Sequence, residues 1–329
     1  MESRPKIAWV LGDPAGIGPE VVAKSLVAPE MGQVCRPVVV GPAWLLDRGM
    51  QIAKVQANAT RCEPSQVNSL PLETIPLVDE GWPPEDIPLG KPSAAAGRLS
   101  LHMLRAAVSL AQAGVVNAVV HAPLNKEALR LGGNTHGDEL QLFASWLGDT
   151  DCREVNVAGG LFTTRVTSHV PLKDVASLLT PDGILKAVRI LHQILIRSGI
   201  IEPAIGVAAL NPHGGEGGLF GTEEMEVIAP AVRLAQEAGI PAKGPFPADT
   251  VFVRAKRGEF QGVVTMYHDQ GQIATKLLGF DHGVTISGGL SILITTPAHG
   301  TAFDIVGQGI ANPGAFQAAV RLAARMVGG

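Results

Sequence analysis

Histidine is where chemistry enters this chain. Three short segments, far apart in sequence, each carry one beside turn-forming or polar residues: Ser168-His169-Val170-Pro171-Leu172, Asn211-Pro212-His213-Gly214-Gly215-Glu216 and Met266-Tyr267-His268-Asp269-Gln270. Each follows a short apolar run that reads as a strand, and strand ends of an α/β sheet are where ligand sites are built. Neutral imidazole binds zinc and neighbouring divalent metals well, and three imidazoles with an open fourth position make a catalytic metal site. Such a cation would lower the pKa of a substrate hydroxyl and hold the carbonyl oxygen that forms. A single strand-end histidine taken alone is more often a hydrogen-bonded structural residue than a ligand. No two of them stand at i, i+4 spacing, so sequence distance leaves their convergence open.

Other groups could serve the same site. Asp249, in Pro247-Ala248-Asp249-Thr250, and Asp269, beside His268, could orient a metal-bound imidazole or join it as ligands; Asp249 suits a helix N-cap as well. Lys276 could bind an anionic substrate or be a solvated lysine, and Glu216 could be an acid or base or an idle loop residue. The segment His299-Gly300-Thr301-Ala302-Phe303-Asp304-Ile305 opens a glycine-containing turn suited to a nucleotide. Metal plus nucleotide points to redox chemistry at a hydroxyl-bearing carbon. Gly12-Asp13-Pro14-Ala15-Gly16-Ile17-Gly18-Pro19-Glu20 joins a strand to a helix, where glycines allow close approach and the helix N-terminus favours anions. It lacks the G-x-G-x-x-G spacing of a Rossmann site, and a tight turn explains it equally well.

These segments need a scaffold, and the alternation of strand-like and helix-like runs supplies one. Residues 6–11 read as a strand, followed by a helix opened by Pro19; 36–40 form a second strand ended by Gly41-Pro42. Residues 54–97 are richer in proline and polar residues and read as irregular in part. A helix over 94–113 leads to a strand at 116–120, with further strands near 155–158 and at 164–167. Pro181 starts a helix to 198 whose Ile184, Val188, Leu191 and Leu195 share one face. Strands at 204–210, 262–266 and 284–287 and helices over 223–238 and 313–327 complete an α/β pattern with largely parallel strands.

Bulk properties set the class. A chain of 329 residues suits two domains, and 46% hydrophobic with only 4% aromatic residues means a core of Ala, Val, Leu and Ile around a buried parallel sheet. A net charge of −4 with no basic stripe argues against nucleic acid and against a polybasic membrane anchor. The apolar run at 7–11 is too short for a signal peptide core, and no run approaches the ~20 residues that span a bilayer. Cys35, Cys62 and Cys152 are odd in number and unclustered, which fits reduced thiols in a cytoplasm.

Taken together, the segments resemble the 4-hydroxythreonine-4-phosphate dehydrogenase family of vitamin B6 biosynthesis. The likeness runs from Gly12–Glu20 through Ala122-Pro123-Leu124-Asn125-Lys126-Glu127-Ala128-Leu129, the three histidine segments, and residues 299–309. It implies two α/β/α domains with a cleft between them, like the isocitrate and isopropylmalate dehydrogenases, and not a Rossmann fold. It implies a homodimer with active sites between subunits, and a divalent metal on His169, His213 and His268, one of them from the partner chain. Zinc is the first expectation, with cobalt, nickel, iron, manganese or magnesium as alternatives. Residues 299–304, with Ile310-Ala311-Asn312-Pro313, resemble the adenosine loop of isopropylmalate dehydrogenases, so Gly300, Thr301, Asp304 and Asn312 are expected to bind NAD. Residues 1–125 with 285–329 would form the cofactor domain and 126–284 the metal, substrate and dimerisation domain.

The implied reaction is oxidation of a hydroxyl β to a carboxylate, with hydride passing to NAD and carbon dioxide lost afterwards. Lys276, Asp249 and Asp269 are the expected catalytic groups; Lys276 also matches a family substrate lysine. His136 matches the histidine of the family's Gly-His-Thr-Glu segment, and aligning on Glu139 moves that match by one residue. Departures cluster at the substrate. Gly137 stands in place of the threonine, Thr285 in place of asparagine, and Ile294 in place of a substrate-binding arginine. Losing that charge-assisted fork costs on the order of 1.5–3 kcal/mol of binding. The same chemistry on an unphosphorylated substrate, such as a carboxylated cis-dihydrodiol, is therefore the alternative. A metallohydrolase using the same histidines and a non-catalytic metabolite-binding protein are the remaining readings.

Overall fold

A computed structural model of the chain describes residues 4–83, 86–279 and 282–328. It divides into two compact units, Met1–Gly148 with Leu290–Gly329, and Asp149–Gly289.

The first unit holds β1 (Lys6–Val10), β2 (Arg36–Val40), β3 (Ala59–Cys62), β4 (Ile75–Val78), β5 (Ala118–His121) and β12 (Leu293–Pro297). Their order is β3-β4-β2-β1-β5-β12, all pairs parallel. Strands covered on both faces read as unbroken apolar runs, and β1 and β5 are buried along almost their whole length. Trp9 of β1 meets Phe316 of the helix Gly314–Gly328 edge to face, with centroids 5.3 Å apart. Helices Lys126–Leu131 and Glu139–Leu147 belong to this unit, where sequence reading ended the corresponding domain at residue 125. The reason is packing. Phe143 lies against the His121 ring at 5.8 Å, and Arg105 sits over the Trp146 ring at 5.2 Å.

Small residues make that packing possible. A Cβ on Gly97, in the helix Ala94–Gln112, would stand 1.8 Å from the Ala128 carbonyl oxygen of the facing helix. Gly97→Ala must push the two helices apart, and should destabilise the protein by about 2–3 kcal/mol. Urea denaturation measures this; an unchanged midpoint would show that the helices do not pack so closely.

The second unit holds β6 (Arg153–Ala158), β7 (Leu161–Arg165), β8 (Ile205–Ala208), β9 (Ala242–Phe246), β10 (Gly262–Thr265) and β11 (Val284–Gly288), in the order β11-β6-β7-β10-β8-β9. Here β6 runs antiparallel to both β7 and β11, the exceptions in strands that are largely parallel as expected. Gly159 and Gly160, both at positive φ, turn β6 directly into β7. The hairpin moves β7 to Leu161–Arg165, so half of the run expected as a strand at 164–167 is the segment after it. The helix Pro181–Arg197 matches its expectation closely. Thr180 caps its first turn, and Ile184, Val188, Leu191 and Leu195 are fully buried. The helix expected over 223–238 begins instead as a π-turn, Glu224–Ile228, before continuing as Ala229–Glu237.

Candidate functional site

The three histidines follow the carboxyl ends of three adjacent parallel strands, β7, β10 and β8, in that order. His169 comes four residues after β7, His268 three after β10, and His213 five after β8. Beyond β7 the ladder continues, with Val166 and Thr167 donating to the carbonyls of Thr265 and Met266 at 2.9 and 3.1 Å. The Thr167 hydroxyl also donates to Met266, at 2.8 Å. This zipper brings two of the imidazoles together, with ring centroids 5.6 Å apart. Two imidazoles on one tetrahedral ion would stand roughly 5 Å apart, centre to centre, so the spacing fits a shared cation. His268 Nδ1 lies 2.6 Å from Asp269 Oδ1, which fixes the ring and leaves Nε2 to face a ligand. Beside the pair is a cavity of about 280 Å³ lined by Thr167, Ser168, Val170, Leu172, Tyr267 and their neighbours.

His213 is not brought to that pair. Its Nδ1 is 3.4 Å from Glu216 Oε2, and its ring meets Phe220 edge-on. Among the described residues, no three His, Cys, Asp or Glu side chains are grouped closely enough to hold a metal ion. Asp249 lies with the His213 loop. It sits exposed in the first turn of the helix Ala248–Lys256, whose preceding Pro247 is 3.9 Å from the Cβ position of Gly214. It is not an N-cap, since Pro247 occupies that place. Lys276 is exposed two turns beyond His268 on the helix His268–Gly279, roughly 12 Å along its axis.

Three residues that carry the geometry were not singled out from sequence. Arg165, buried at the end of β7, donates from Nε to the Ser168 hydroxyl at 2.8 Å and pairs through Nη2 with Glu154. That anchors the turn in which His169 takes a φ of 51°. Gln270 accepts from the Met266 N–H at 2.7 Å and donates to the Ala209 carbonyl at 2.8 Å, tying the ends of β10 and β8. Glu224, buried, accepts from the backbone N–H groups of Leu210 and Asn211. Burial pushes its carboxyl up, but the hydrogen bonds from Asn211 and Leu210 outweigh that and hold it below the usual glutamate value. A lone arginine in an otherwise apolar and threonine-rich strand was the signal for the first of these.

Thr285 Oγ1 donates to Asn156 Oδ1 at 3.0 Å across the β11–β6 ladder. In the first unit, Ile294 pairs in register with Val119 and is fully buried, presenting no surface to a ligand. His136 is exposed and its Nε2 lies 3.2 Å from the Ser145 hydroxyl, while the Gly137 N–H donates to Gln141 Oε1 at 3.2 Å.

The segment 299–312 also lies in the first unit, with Gly300, Asp304 and Asn312 exposed and Thr301 buried. Thr301 is the foot of the loop. Its carbonyl accepts from Ile17 at 3.1 Å, and a Cβ on Gly16 would strike its side chain at 2.8 Å. Gly12, at a φ of 75°, lies under Pro123, so these glycines of the 12–18 turn serve packing rather than an open ligand cradle. At the far end, Lys24 Nζ donates to Glu20 Oε1 and to the carbonyls of Gly309 and Ala311 at 2.8–2.9 Å, and the Ala311 N–H returns to Glu20 Oε1. Asp13, fully buried within the turn, accepts from the Ala15 N–H at 2.7 Å through Oδ1, while Oδ2 has no partner. Burial pushes its carboxyl up to about 6, against the smaller pull of the Ala15 hydrogen bond and of Arg48.

Two units of helices packed on largely parallel strands, with the histidine loops at strand carboxyl ends, give the chain the isocitrate dehydrogenase-like α/β fold. A β-decarboxylating dehydrogenase from Thermococcus kodakarensis shares that fold at a TM-score of 0.51 and 14% identity, covering 96% of this chain and 81% of that one. Residues 33–323 match the family described as "Pyridoxal phosphate biosynthetic protein PdxA", and the chain belongs to that family. A 4-hydroxythreonine-4-phosphate dehydrogenase from Geobacter metallireducens is 40% identical, over 98% of this chain and 96% of that protein. A D-threonate 4-phosphate dehydrogenase from Cupriavidus necator is 39% identical, over 98% and 97%. The crystal structure of a 4-hydroxythreonine-4-phosphate dehydrogenase from Burkholderia phymatum superposes with a TM-score of 0.84 at 40% identity, covering 99% of both chains. These relatives are dehydrogenases, so the chain is an oxidoreductase of the same family. Among the described residues no helix is long and apolar enough to cross a membrane, and all three cysteines are free.

Proposed function

We propose that this protein is an NAD- and divalent-metal-dependent dehydrogenase that oxidises a hydroxyl β to a carboxylate on a small phosphorylated hydroxy acid, with loss of carbon dioxide. The observation that carries this reading is the His169–His268 pair, with Asp269 behind it, at the ends of β7 and β10. Its first substrates are those named for the relatives, 4-phosphohydroxythreonine and D-threonate 4-phosphate. Nearly equal identity to the two dehydrogenases leaves the choice between them to experiment. A zinc ion is the first candidate for the pair. When bound, the cation lowers the pKa of the hydroxyl and offsets the negative charge left as carbon dioxide departs. Around it, Asp269 would orient His268 and Lys276 would bind the substrate's anionic end, while Asp249, which lies with the His213 loop, would take a proton where that loop joins the site. His136, Gly137 and Thr285 complete the proposed substrate contacts.

His213 lies apart from the pair, which supports a homodimer in which the partner's copy of this residue completes the metal site; a cytoplasmic location is part of the same proposal. The unit carrying residues 299–312 would hold NAD through Gly300, Thr301, Asp304 and Asn312, and the unit carrying the histidines would hold metal and substrate. The Glu20–Lys24 clasp on residues 309–311 supports the cofactor assignment, since it fixes the far end of an otherwise exposed loop. Lys24→Met should raise KM for NAD about tenfold with kcat nearly unchanged. A KM for NAD equal to wild type would remove the loop from the cofactor site.

A second reading has one observation in its favour. Ile294 is buried and apolar where the family places an arginine, which removes a fork for a phosphate or carboxylate. A terephthalate 1,2-cis-dihydrodiol dehydrogenase from Burkholderia xenovorans is 29% identical, at a TM-score of 0.69 over 98% of both chains. Initial rates of NADH formation should be measured with the two phosphorylated acids and a carboxylated cis-dihydrodiol, with and without chelator. Chelator-sensitive turnover of either acid supports the first reading and turnover of the diol alone the second. NAD-independent or chelator-resistant activity would end both.

A further inference from the structure

The loop that carries His213 is folded against its own preference. From His213 to Gly218 every residue has positive φ, from 44° at Glu216 to 101° at Gly218. Glycine adopts this left-handed backbone freely, but His213 and Glu216, at φ of 53° and 44°, do not. Such a conformation persists only where its surroundings over-determine it.

Glu224 supplies that determination. Its Oε1 accepts from the backbone N–H groups of both Leu210 and Asn211 at 2.8 Å, and its Oε2 accepts from Asn211 Nδ2 at 3.0 Å. Three donors from the two residues that lead into Pro212-His213 thus converge on one buried carboxylate. The loop then wraps around the same group, because a Cβ on Gly215 would lie 2.6 Å from Glu224 Oε2. The π-turn Glu224–Ile228 sets the direction of this side chain, since an inserted residue rotates what precedes it by about 100° relative to a regular helix.

We propose that Glu224 is a positioning residue for His213: its carboxylate holds the left-handed loop that aims the imidazole, without itself touching metal or substrate. The inference rests on the reading of His213 as a metal ligand. Cobalt(II) alone is the probe, titrated into metal-free full-length protein by calorimetry and by visible absorption. The proteins compared are wild type, His213→Ala, Glu224→Gln and Glu224→Ala. Glutamine keeps one acceptor oxygen for the backbone donors but turns an amide toward Asn211 Nδ2, so Glu224→Gln should weaken cobalt binding about tenfold and Glu224→Ala up to about a hundredfold. Both should change the d–d absorption of the saturated protein, which a loss of stability alone would leave unaltered. Hydrogen exchange at the Leu210 and Asn211 amides should lose its protection in metal-free Glu224→Ala, which keeps no acceptor for them, and stay largely protected in Glu224→Gln. Unchanged affinity in His213→Ala would overturn the metal reading and this inference with it. Weakened binding in His213→Ala, with wild-type affinity and absorption in Glu224→Gln, would overturn the positioning role alone, even if Glu224→Ala fails to fold.

Discussion

Mixing His213→Ala subunits with His268→Ala subunits should restore about a quarter of wild-type turnover, because random exchange makes half the dimers mixed and each mixed dimer has one intact site of two. Each variant alone should lose about a thousandfold in kcat, since removing one imidazole from a three-imidazole site forfeits several kcal/mol of stabilisation. The argument is geometric. His169 and His268 share one end of the β7–β10 ladder, with rings 5.6 Å apart, whereas His213 faces Glu216 and Phe220 on its own loop. If the partner's copy of His213 completes the pair, a dimer of the two variants has one site with all three imidazoles and one with a single imidazole. Subunits refolded together after denaturation and assayed for NADH formation give the answer. Should the mixture be as inactive as its components, the site would be built within one chain, and the loop of His213 would have to close on the pair by itself.

The second large effect is on stability and depends on pH. Between about pH 4 and pH 6, the stability of Asp13→Asn relative to wild type should rise by about 3 kcal/mol and then level off. Asp13 carries its proton up to about 6 in the folded protein, against 3.8 for an unburied carboxyl. The protonated group therefore favours the folded state at low pH, and that contribution is lost as pH rises through the folded value. Above it, wild type holds a buried charge with one unpartnered oxygen, and asparagine holds none. His121 titrates in the same window with the opposite sign. Burial pushes its imidazole down to about 4 from 6.5, so its contribution falls as pH falls. The wild-type profile mixes the two, and the difference between variant and wild type isolates Asp13. Urea midpoints at a series of pH values measure it; a difference independent of pH would mean that burial does not shift the Asp13 carboxyl from its unfolded value.

The positions at which sequence and structure part company share a cause. Periodicity finds an element whose own side chains define its face, as in Pro181–Arg197, where Thr180 caps the start and four apolar residues line the core. It misses an element whose limits are set by a partner. β7 is displaced by the Gly159-Gly160 turn that pairs it with β6, and the helix expected over 223–238 opens as a π-turn at Glu224, whose carboxylate is held by the distant Leu210 and Asn211. The helices Lys126–Leu131 and Glu139–Leu147 belong to the first unit through Gly97, His121 and Arg105, all distant in sequence.

Sequence by itself determined the alternation of strand and helix and the location of three histidines just beyond strand ends, because these are written in local composition and spacing, and the resemblance of its motifs pointed to the family. Only tertiary structure decided which strands lie side by side, and hence that His169 meets His268 while His213 does not. It also decided that Arg165, Gln270 and Glu224 hold those loops, and that Gly12 and Gly16 serve packing. A side chain's partner is chosen by three-dimensional proximity, and residues nearly a hundred positions apart carry no mutual signal until the sheet pairs their strands.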